Sequence, residues 1–126
     1  MRDRGEFSEY VEAWRRRLAA EESARSQRAH RLRRVAEDCA HYLVREFKVT
    51  KVYLFGSLLD EEFVHDRSDI DLAVEGLDLE LYWRALASVW RFLPEGVELD
   101  LVPLEQAWSD LAERVLAEGV LLDAAT

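Results

Sequence analysis

Apolar residues recur every three to four positions along the first 47 residues of the chain, which is the spacing of one helix face. They form two groups: an N-terminal stripe of Phe7, Tyr10, Val11, Trp14 and Leu18, and a second stripe of Leu32, Val35, Ala36, Cys39 and Leu43. Residues 21–31 between them are polar on all sides but rich in good helix formers. The pattern predicts either one helix of about 40 residues, roughly 60 Å long, or a helical hairpin that bends near residues 23–26.

The two stripes have different expected roles. The second stripe precedes the rest of the chain directly and can pack against it. The N-terminal stripe, with Trp14 near its centre, would overhang so small a domain and find no cover within it. Because an exposed aromatic stripe usually marks an interaction surface, we expect a homodimer or a hetero-oligomer to form through the N-terminal helix.

Beyond residue 47 the pattern changes to short apolar runs separated by turn signals. We predict strands at residues 51–55, 69–74, 97–102 and 120–122, and helices at residues 78–92 and about 109–118, the last ended by Gly119 as a C′ glycine. This arrangement indicates the α/β (α+β) class, with a small mixed sheet flanked by helices. The chain therefore divides into an N-terminal helical part, residues 1–47, and a domain, residues 48–126.

Length and composition bound the class of protein. With 126 residues, 49% of them hydrophobic and 34% charged, the chain makes one globular domain. No apolar run approaches the roughly 20 residues of a membrane helix, and no apolar signal core follows the N-terminus. The single cysteine, Cys39, excludes an intramolecular disulfide and fits a reducing compartment. We therefore expect a cytoplasmic protein that does not enter a membrane.

The charge of the chain narrows the choice of partners. A net charge of −9 and a pI of about 4.8 argue against direct nucleic-acid binding. Arginines nevertheless crowd the first 46 residues, while acidic residues dominate the remainder. The arginine-rich helix is therefore either a solvated basic face or a docking surface for an acidic partner.

Two aspartates stand inside an apolar strand. Asp69 and Asp71 are two positions apart, so they point to the same face of the strand, while Ile70, Leu72 and Val74 point to the other. Two like charges side by side on one strand repel each other unless a positive charge lies between them. The pattern therefore predicts a cation at this place.

Two further features add to this pair. Gly56 and Ser57 follow the first strand, where a glycine lets the backbone approach a ligand closely and free N–H groups can bind an anion. Asp100 lies on the third predicted strand. Carboxylates that converge are hard oxygen ligands suited to Mg²⁺, and two such ions form the clamp for in-line phosphoryl-type displacement. A phosphate cradle beside three carboxylates thus predicts a site for two Mg²⁺ ions and a nucleotide.

The segments "FGS", "SDIDLAV" and "ELDLV" resemble the minimal nucleotidyltransferase (MNT) group of the DNA polymerase β-like nucleotidyltransferase superfamily. The resemblance covers residues 52 to about 122, and the long leading helix resembles MNT antitoxins encoded beside HEPN ribonuclease toxins. It implies a nucleotidyltransferase fold and transfer of AMP from ATP to a tyrosine of the toxin. It also implies that Gly56 and Ser57 hold the triphosphate. Asp69 and Asp71 would bind the bridging metal and, with Asp100, the metal that activates the hydroxyl.

One segment departs from the family pattern. Many members have a basic residue shortly after Gly-Ser, where this chain has Asp60, Glu61 and Glu62. Each acid about 6 Å from a triphosphate oxygen would cost at least ~0.7 kcal/mol in bulk water. Either Arg67 compensates for these acids at the nucleotide, or they point away from it.

Three functions remain open at this point. The first is an ATP-dependent adenylyltransferase that modifies a toxin protein and so acts as an antitoxin. The second is a nucleotidyltransferase for a small molecule such as an aminoglycoside, which would need a substrate pocket. The third is a binding antitoxin that masks its partner without chemistry. Trp83, Trp90 and Trp108 are interpreted as core or interface residues rather than as platforms for a nucleobase.

Overall fold

The computed structural model describes residues 4–65 and 67–126. Three helices and four strands follow in the order α1 (Arg4–Phe47), β1 (Lys51–Phe55), β2 (Ile70–Glu75), α2 (Tyr82–Trp90), β3 (Leu99–Pro103), α3 (Ser109–Glu118) and β4 (Val120–Ala124). The predicted α+β class, with a small mixed sheet flanked by helices and a long N-terminal helix before it, is confirmed.

The N-terminal part is one helix of 44 residues. The alternative with two helices is therefore wrong, and the reason is local, since neither proline nor glycine occurs between Gly5 and Gly56. The helix ends where Lys48 adopts a left-handed backbone with φ 58°. That residue turns the chain from α1 into β1.

The four strands form one mixed sheet in the order β3-β2-β1-β4. Strand β1 is antiparallel to both of its neighbours, β2 and β4, whereas β2 and β3 run parallel. The parallel pair needs a crossover connection, and α2 supplies it. Strands β2 and β3 are therefore neighbours although a helix separates them in sequence.

The core lies between one face of the sheet and the C-terminal half of α1. Ile70, Leu72 and Val74 are fully buried there, as their alternation with the aspartates predicts. The second stripe of α1 covers them, and in it Leu32, Ala36, Cys39 and Leu43 are also fully buried. These contacts hold the C-terminal half of α1 against the sheet.

Several predicted boundaries move in the structure. Strand β2 begins and ends one residue later than predicted, and β4 is two residues longer. The third strand begins at Leu99 rather than at Val97, because Val97 donates its N–H to Pro94 O (3.1 Å) within the preceding turn. Residues 79–81 form a 3₁₀ turn, so α2 begins only at Tyr82.

Two smaller predictions also need correction. Gly119 ends α3, but its backbone is extended (φ −68°) rather than left-handed, and a Cβ there would lie 2.5 Å from Val115 O. Trp83, Trp90 and Trp108 are all exposed, so the core alternative for them is wrong. Helical spacing places a residue on a face but does not show whether another element covers that face.

Within the described residues, no helix combines the length and apolar character that crossing a membrane requires.

Candidate functional site

The parallel pairing of β2 and β3 brings two of the predicted site residues together. Asp71 and Asp100 are register partners on these neighbouring strands, so their side chains lie on the same face of the sheet. Asp69 precedes β2, and its Oδ1 accepts a hydrogen bond from the backbone N–H of Glu98 at 3.1 Å. The three aspartates line one cavity of about 190 Å³, together with Glu98 and Leu99.

Gly56 approaches the aspartates from β1, which pairs with the edge of β2 opposite to β3. Register in the antiparallel pair places Phe55 opposite Asp71, and Gly56 follows with a left-handed backbone, φ 81°. A Cβ at Gly56 would clash with Oδ2 of Asp71 and lie 3.0 Å from its Cγ. Only glycine therefore allows the backbone to approach the carboxylate this closely. Ser57 follows at the second residue of a 3₁₀ turn, residues 56–59.

The surroundings of Asp71 disfavour its charged form. Burial, followed by repulsion from Asp100 and Asp69, raises the pKa of Asp71 from 3.8 to about 6. A bound cation would remove this repulsion, and carboxylate oxygens are the ligands that Mg²⁺ prefers. Among residues 4–65 and 67–126, however, no three acidic, His or Cys side chains already converge as a ready metal-binding group. The donor chemistry fits the ion, and closing the ligand set requires the side chains to turn.

Tyr82 supports this site, and the sequence pattern did not single it out. Its hydroxyl donates a hydrogen bond to Leu101 O at 2.7 Å, directly after Asp100. Burial, and then the charge of Asp100, raise the pKa of Tyr82. The tyrosine therefore stays neutral and anchors α2 to β3. The periodicity of residues 78–92 predicted only an amphipathic helix.

A comparison with known families identifies the arrangement. The family described as polymerase beta, nucleotidyltransferase, matches residues 37–124. The chain belongs to this family. It is a nucleotidyltransferase, as the resemblance implied.

Solved structures agree with the assignment. A toxin–antitoxin complex with AMP-PNP is 30% identical, with 71% of this chain and 74% of that chain covered and a TM-score of 0.58. A mutant MntA–HepT toxin–antitoxin complex, whose two substitutions replace aspartates two positions apart by glutamates, is 28% identical over 71% and 74% of the chains (TM-score 0.57).

A third structure contains a modified toxin. It is a tri-AMPylated Shewanella oneidensis HEPN toxin in complex with MNT antitoxin, 29% identical over 71% of this chain and 70% of that chain, with a TM-score of 0.52. Among curated proteins, none matches the chain.

The acidic segment of this nucleotidyltransferase is turned towards α1. Asp60 accepts a hydrogen bond from Glu62 N, and Glu61 lies 3.6 Å from the guanidinium of Arg33. Arg33 also donates to Leu58 O at 2.8 Å, so it ties the segment to the helix. None of the three acids lines the carboxylate cavity. Of the two alternatives for this departure, the structure shows the second, in which the acids point away.

Arg67 is not brought to the carboxylates. It is exposed in the turn before β2, its backbone N–H donates to Nδ1 of His65, and it does not line the cavity of the aspartates. A different arginine shares a groove with Gly56. Arg114 of α3 lines a groove of about 310 Å³ that also includes Gly56. Sequence reasoning missed Arg114, since one arginine on an amphipathic helix carries no signal of its own.

Proposed function

We propose that the chain is a Mg²⁺-dependent protein adenylyltransferase that transfers AMP from ATP to a tyrosine hydroxyl of a HEPN toxin and so acts as its antitoxin. One observation carries the proposal: the strand registers link Phe55 to Asp71 and Asp71 to Asp100. They place the Gly56 backbone directly beside the carboxylates. A nucleotide phosphate at Gly56 would therefore lie next to the acidic group.

The reaction exchanges one bond at the α-phosphorus of ATP. The acceptor hydroxyl gives its proton to water, and its oxygen bonds to this phosphorus. The bond from the α-phosphorus to the oxygen that bridges to the β-phosphate breaks, and pyrophosphate leaves with the electron pair. Bound Mg²⁺ supplies charge neutralisation of the triphosphate. Asp69 and Asp71 would hold the ion at the triphosphate, and Asp100 would join them around a second ion.

The chain's own residues position the nucleotide. Gly56 and Ser57 offer backbone N–H groups and a hydroxyl to the triphosphate. The groove that shares Gly56 contains Phe55, Leu59 and Leu111 for the apolar faces of the adenosine, with Arg114 as its cation. Arg67, exposed in the turn before β2, remains a second candidate for a phosphate contact only if that turn moves.

Two findings support a protein as acceptor. The neighbours at 28–30% identity are toxin–antitoxin complexes, one with AMP-PNP and one with a tri-AMPylated toxin. The carboxylate cavity, about 190 Å³, is smaller than the roughly 300–1,000 Å³ typical of small-molecule sites. An acceptor side chain presented by another protein needs no deep pocket. Because the acidic segment turns towards α1 and does not line the carboxylate cavity, it no longer argues for a masking antitoxin without chemistry.

Assembly and location belong to the same proposal. The exposed N-terminal stripe would bind either a second copy or a partner chain, and the cytoplasm would supply ATP and keep Cys39 reduced. Direct contact with nucleic acid is not part of it.

The test is mass spectrometry of the toxin after incubation with the chain and Mg-ATP. We expect the toxin to gain the mass of AMP. Asp71→Ala should lower the rate more than 100-fold, because loss of a metal ligand costs several kcal/mol of transition-state stabilisation. Ser57→Ala, which keeps the backbone donors, should be milder. Asp38→Ala on the exposed face of α1 is the matched control and should retain full activity.

The proposal would be contradicted if the wild-type chain neutralised the toxin without adding AMP and the Asp71→Ala variant neutralised it equally well. The chain would then be an antitoxin that masks its partner without chemistry.

A further inference from the structure

The four largest side chains of the N-terminal stripe are exposed, and Val11 between them is partly exposed. Phe7 and Tyr10 are each 69% exposed, Trp14 is 55% and Leu18 is 47% exposed. The family match begins at residue 37, so this stripe lies outside the part of the chain that defines the nucleotidyltransferase. Most of the stability of a helix in a protein comes from packing of its apolar face, so a helical segment whose apolar face is uncovered lacks that contribution.

The stripe points in the same direction as the buried half of α1. Trp14 and Leu32 are 18 residues apart, which is about five turns at 3.6 residues per turn, and Leu32 is fully buried against the sheet. Phe7 and Leu43 are 36 residues apart, about ten turns, so exposed Phe7 also points in the same direction as fully buried Leu43. Whatever covers the stripe must therefore lie on the side of α1 that the domain occupies, beyond the end of the domain.

The domain limits the length of that space. Arg28 of α1 donates from Nε to His65 O at 2.8 Å, so the domain meets the helix at this level. A cavity of about 540 Å³ lies at the corner where α1 extends beyond the domain, and its lining includes Glu21, Ala24 and Glu62. The open part of α1 thus runs from its start to about residue 24, roughly 30 Å. A second helix of equal length fits beside it.

We propose that the N-terminal stripe pairs with the same stripe of a second copy of this chain, with the two helices antiparallel. In that orientation the free helix of each copy ends at the corner of the other, so neither domain obstructs the pairing. A parallel pair would instead bring the two domains to the same end and the same side.

The charges favour the antiparallel orientation. Residues 6–12 contain three glutamates and no basic residue, whereas residues 13–20 contain three arginines and no acidic residue. Antiparallel pairing places the acidic half of one helix beside the basic half of the other. Parallel pairing would place acidic residues beside acidic residues and arginines beside arginines. The charge pattern and the stripe from Phe7 to Leu18 share one midpoint, between Glu12 and Ala13. One register therefore satisfies both: Phe7 opposite Leu18, and Val11 opposite Trp14.

The contact is large enough for a specific dimer. A fully buried aromatic side chain covers about 150–250 Å². With the exposed fractions above, four large side chains from each copy would bury roughly 1,000 Å² in total, which is about the minimum area of a biological interface. The aspartates lie on the face of β2 opposite to the one that α1 covers, so both carboxylate sites stay open in the dimer.

The mass of the full chain in solution is the first test. Light scattering should give twice the 14.7 kDa of one chain. Trp14→Glu should reduce the mass to that of a monomer, with the helix content of the domain checked by circular dichroism. Trp108→Glu is the matched control, because Trp108 is 86% exposed but lies far along the chain at the start of α3. A monomeric wild type, or a Trp14→Glu variant that stays dimeric, overturns the proposal.

Crosslinking tests the orientation. Ala13 and Ala20 are both exposed and lie seven residues apart on the same side of the helix. In the antiparallel pair the two copies of Ala13 lie at nearly the same level along the axis, each on the flank of its helix. They are therefore separated by little more than the interhelical distance of about 8–10 Å. The two copies of Ala20 would be about 22 Å apart along the axis.

A bismaleimide that spans about 10 Å should therefore link the two copies of the chain in the Ala13→Cys variant and leave the Ala20→Cys variant unlinked. The native Cys39 does not interfere, since burial raises the pKa of its thiol to about 12. Equal linking of both variants would show a parallel pair. A dimer in which neither variant is linked would show that another surface pairs. Either result overturns the proposal.

Discussion

Replacement of Asp71 by asparagine should stabilise the metal-free protein at neutral pH. The pKa of Asp71 in the folded chain is raised from 3.8 to about 6, first by burial and then by Asp100 and Asp69. Between these two pH values the folded chain binds more protons than the unfolded chain, so stability falls as the pH rises through this window. The penalty is complete above about pH 7. The amide of the Asp71→Asn variant cannot ionise, so the variant avoids this penalty.

The magnitude follows from the size of the shift. A change from 3.8 to about 6 corresponds to about 3 kcal/mol if the full shift acts on stability. Asp71 is only half-buried, and solvent screens the charges of its neighbours, so we expect about 1–2 kcal/mol. For a chain of this length, each kcal/mol shifts the melting temperature by about 4 °C. Asp71→Asn should therefore melt roughly 4–8 °C higher than wild type at pH 7.5 without metal.

Thermal and urea unfolding in EDTA at pH 7.5 and at pH 4 would measure this effect. The difference between Asp71→Asn and wild type should be present at pH 7.5 and nearly absent at pH 4, where the wild-type carboxyl is protonated in the folded chain. Asp38→Asn, on the exposed face of α1, controls for loss of a negative charge elsewhere and should change stability little.

The reasoning fails if Asp71→Asn is no more stable than wild type at pH 7.5. It also fails if the gain is the same at both pH values. In the first case the three carboxylates do not repel one another appreciably in solution, and in the second the gain has a cause other than ionisation.

Four further outcomes are expected. Mg-ATP at 100 times its dissociation constant should stabilise wild type by about 2.7 kcal/mol in thermal melts, and Asp69→Asn should lose most of this gain. Gly56→Ala should abolish AMP transfer in the mass assay, because its Cβ would clash with Asp71 and its φ is positive. Tyr82→Phe should cost about 1 kcal/mol in urea unfolding by loss of one hydrogen bond to β3. Arg114→Ala should raise the KM for ATP several-fold with a smaller change in kcat, and an unchanged KM would contradict the groove assignment.

The paired carboxylates could be read from the sequence because their geometry is local. A period of two puts Asp69 and Asp71 on one face of any strand and the apolar residues on the other, whatever the strand pairs with. The N-terminal stripe was predictable for the same reason, since helical spacing alone aligns Phe7 with Trp14. Its exposure followed from the small size of the domain.

The direction in which the acidic segment points could be determined only from the tertiary structure. The sequence left open whether Asp60, Glu61 and Glu62 face the nucleotide. Arg33, more than 20 residues earlier, holds this segment against α1 through Glu61 and Leu58 O. Contacts between distant residues depend on how α1 lies across the sheet, and no local pattern encodes that placement.

Backbone periodicity sets which residues of this protein share a strand face or a helix face, so those relations can be read along the chain. Which faces meet is a property of the folded arrangement. Asp100 becomes the neighbour of Asp71 through the parallel pairing of β2 and β3, and Gly56 reaches the same carboxylate through the antiparallel pairing with β1. Tyr82 and Arg114 reach the site or its groove only because α2 and α3 pack beside it. Packing of this kind depends on the free energy of the whole core, to which residues far apart in the chain contribute together.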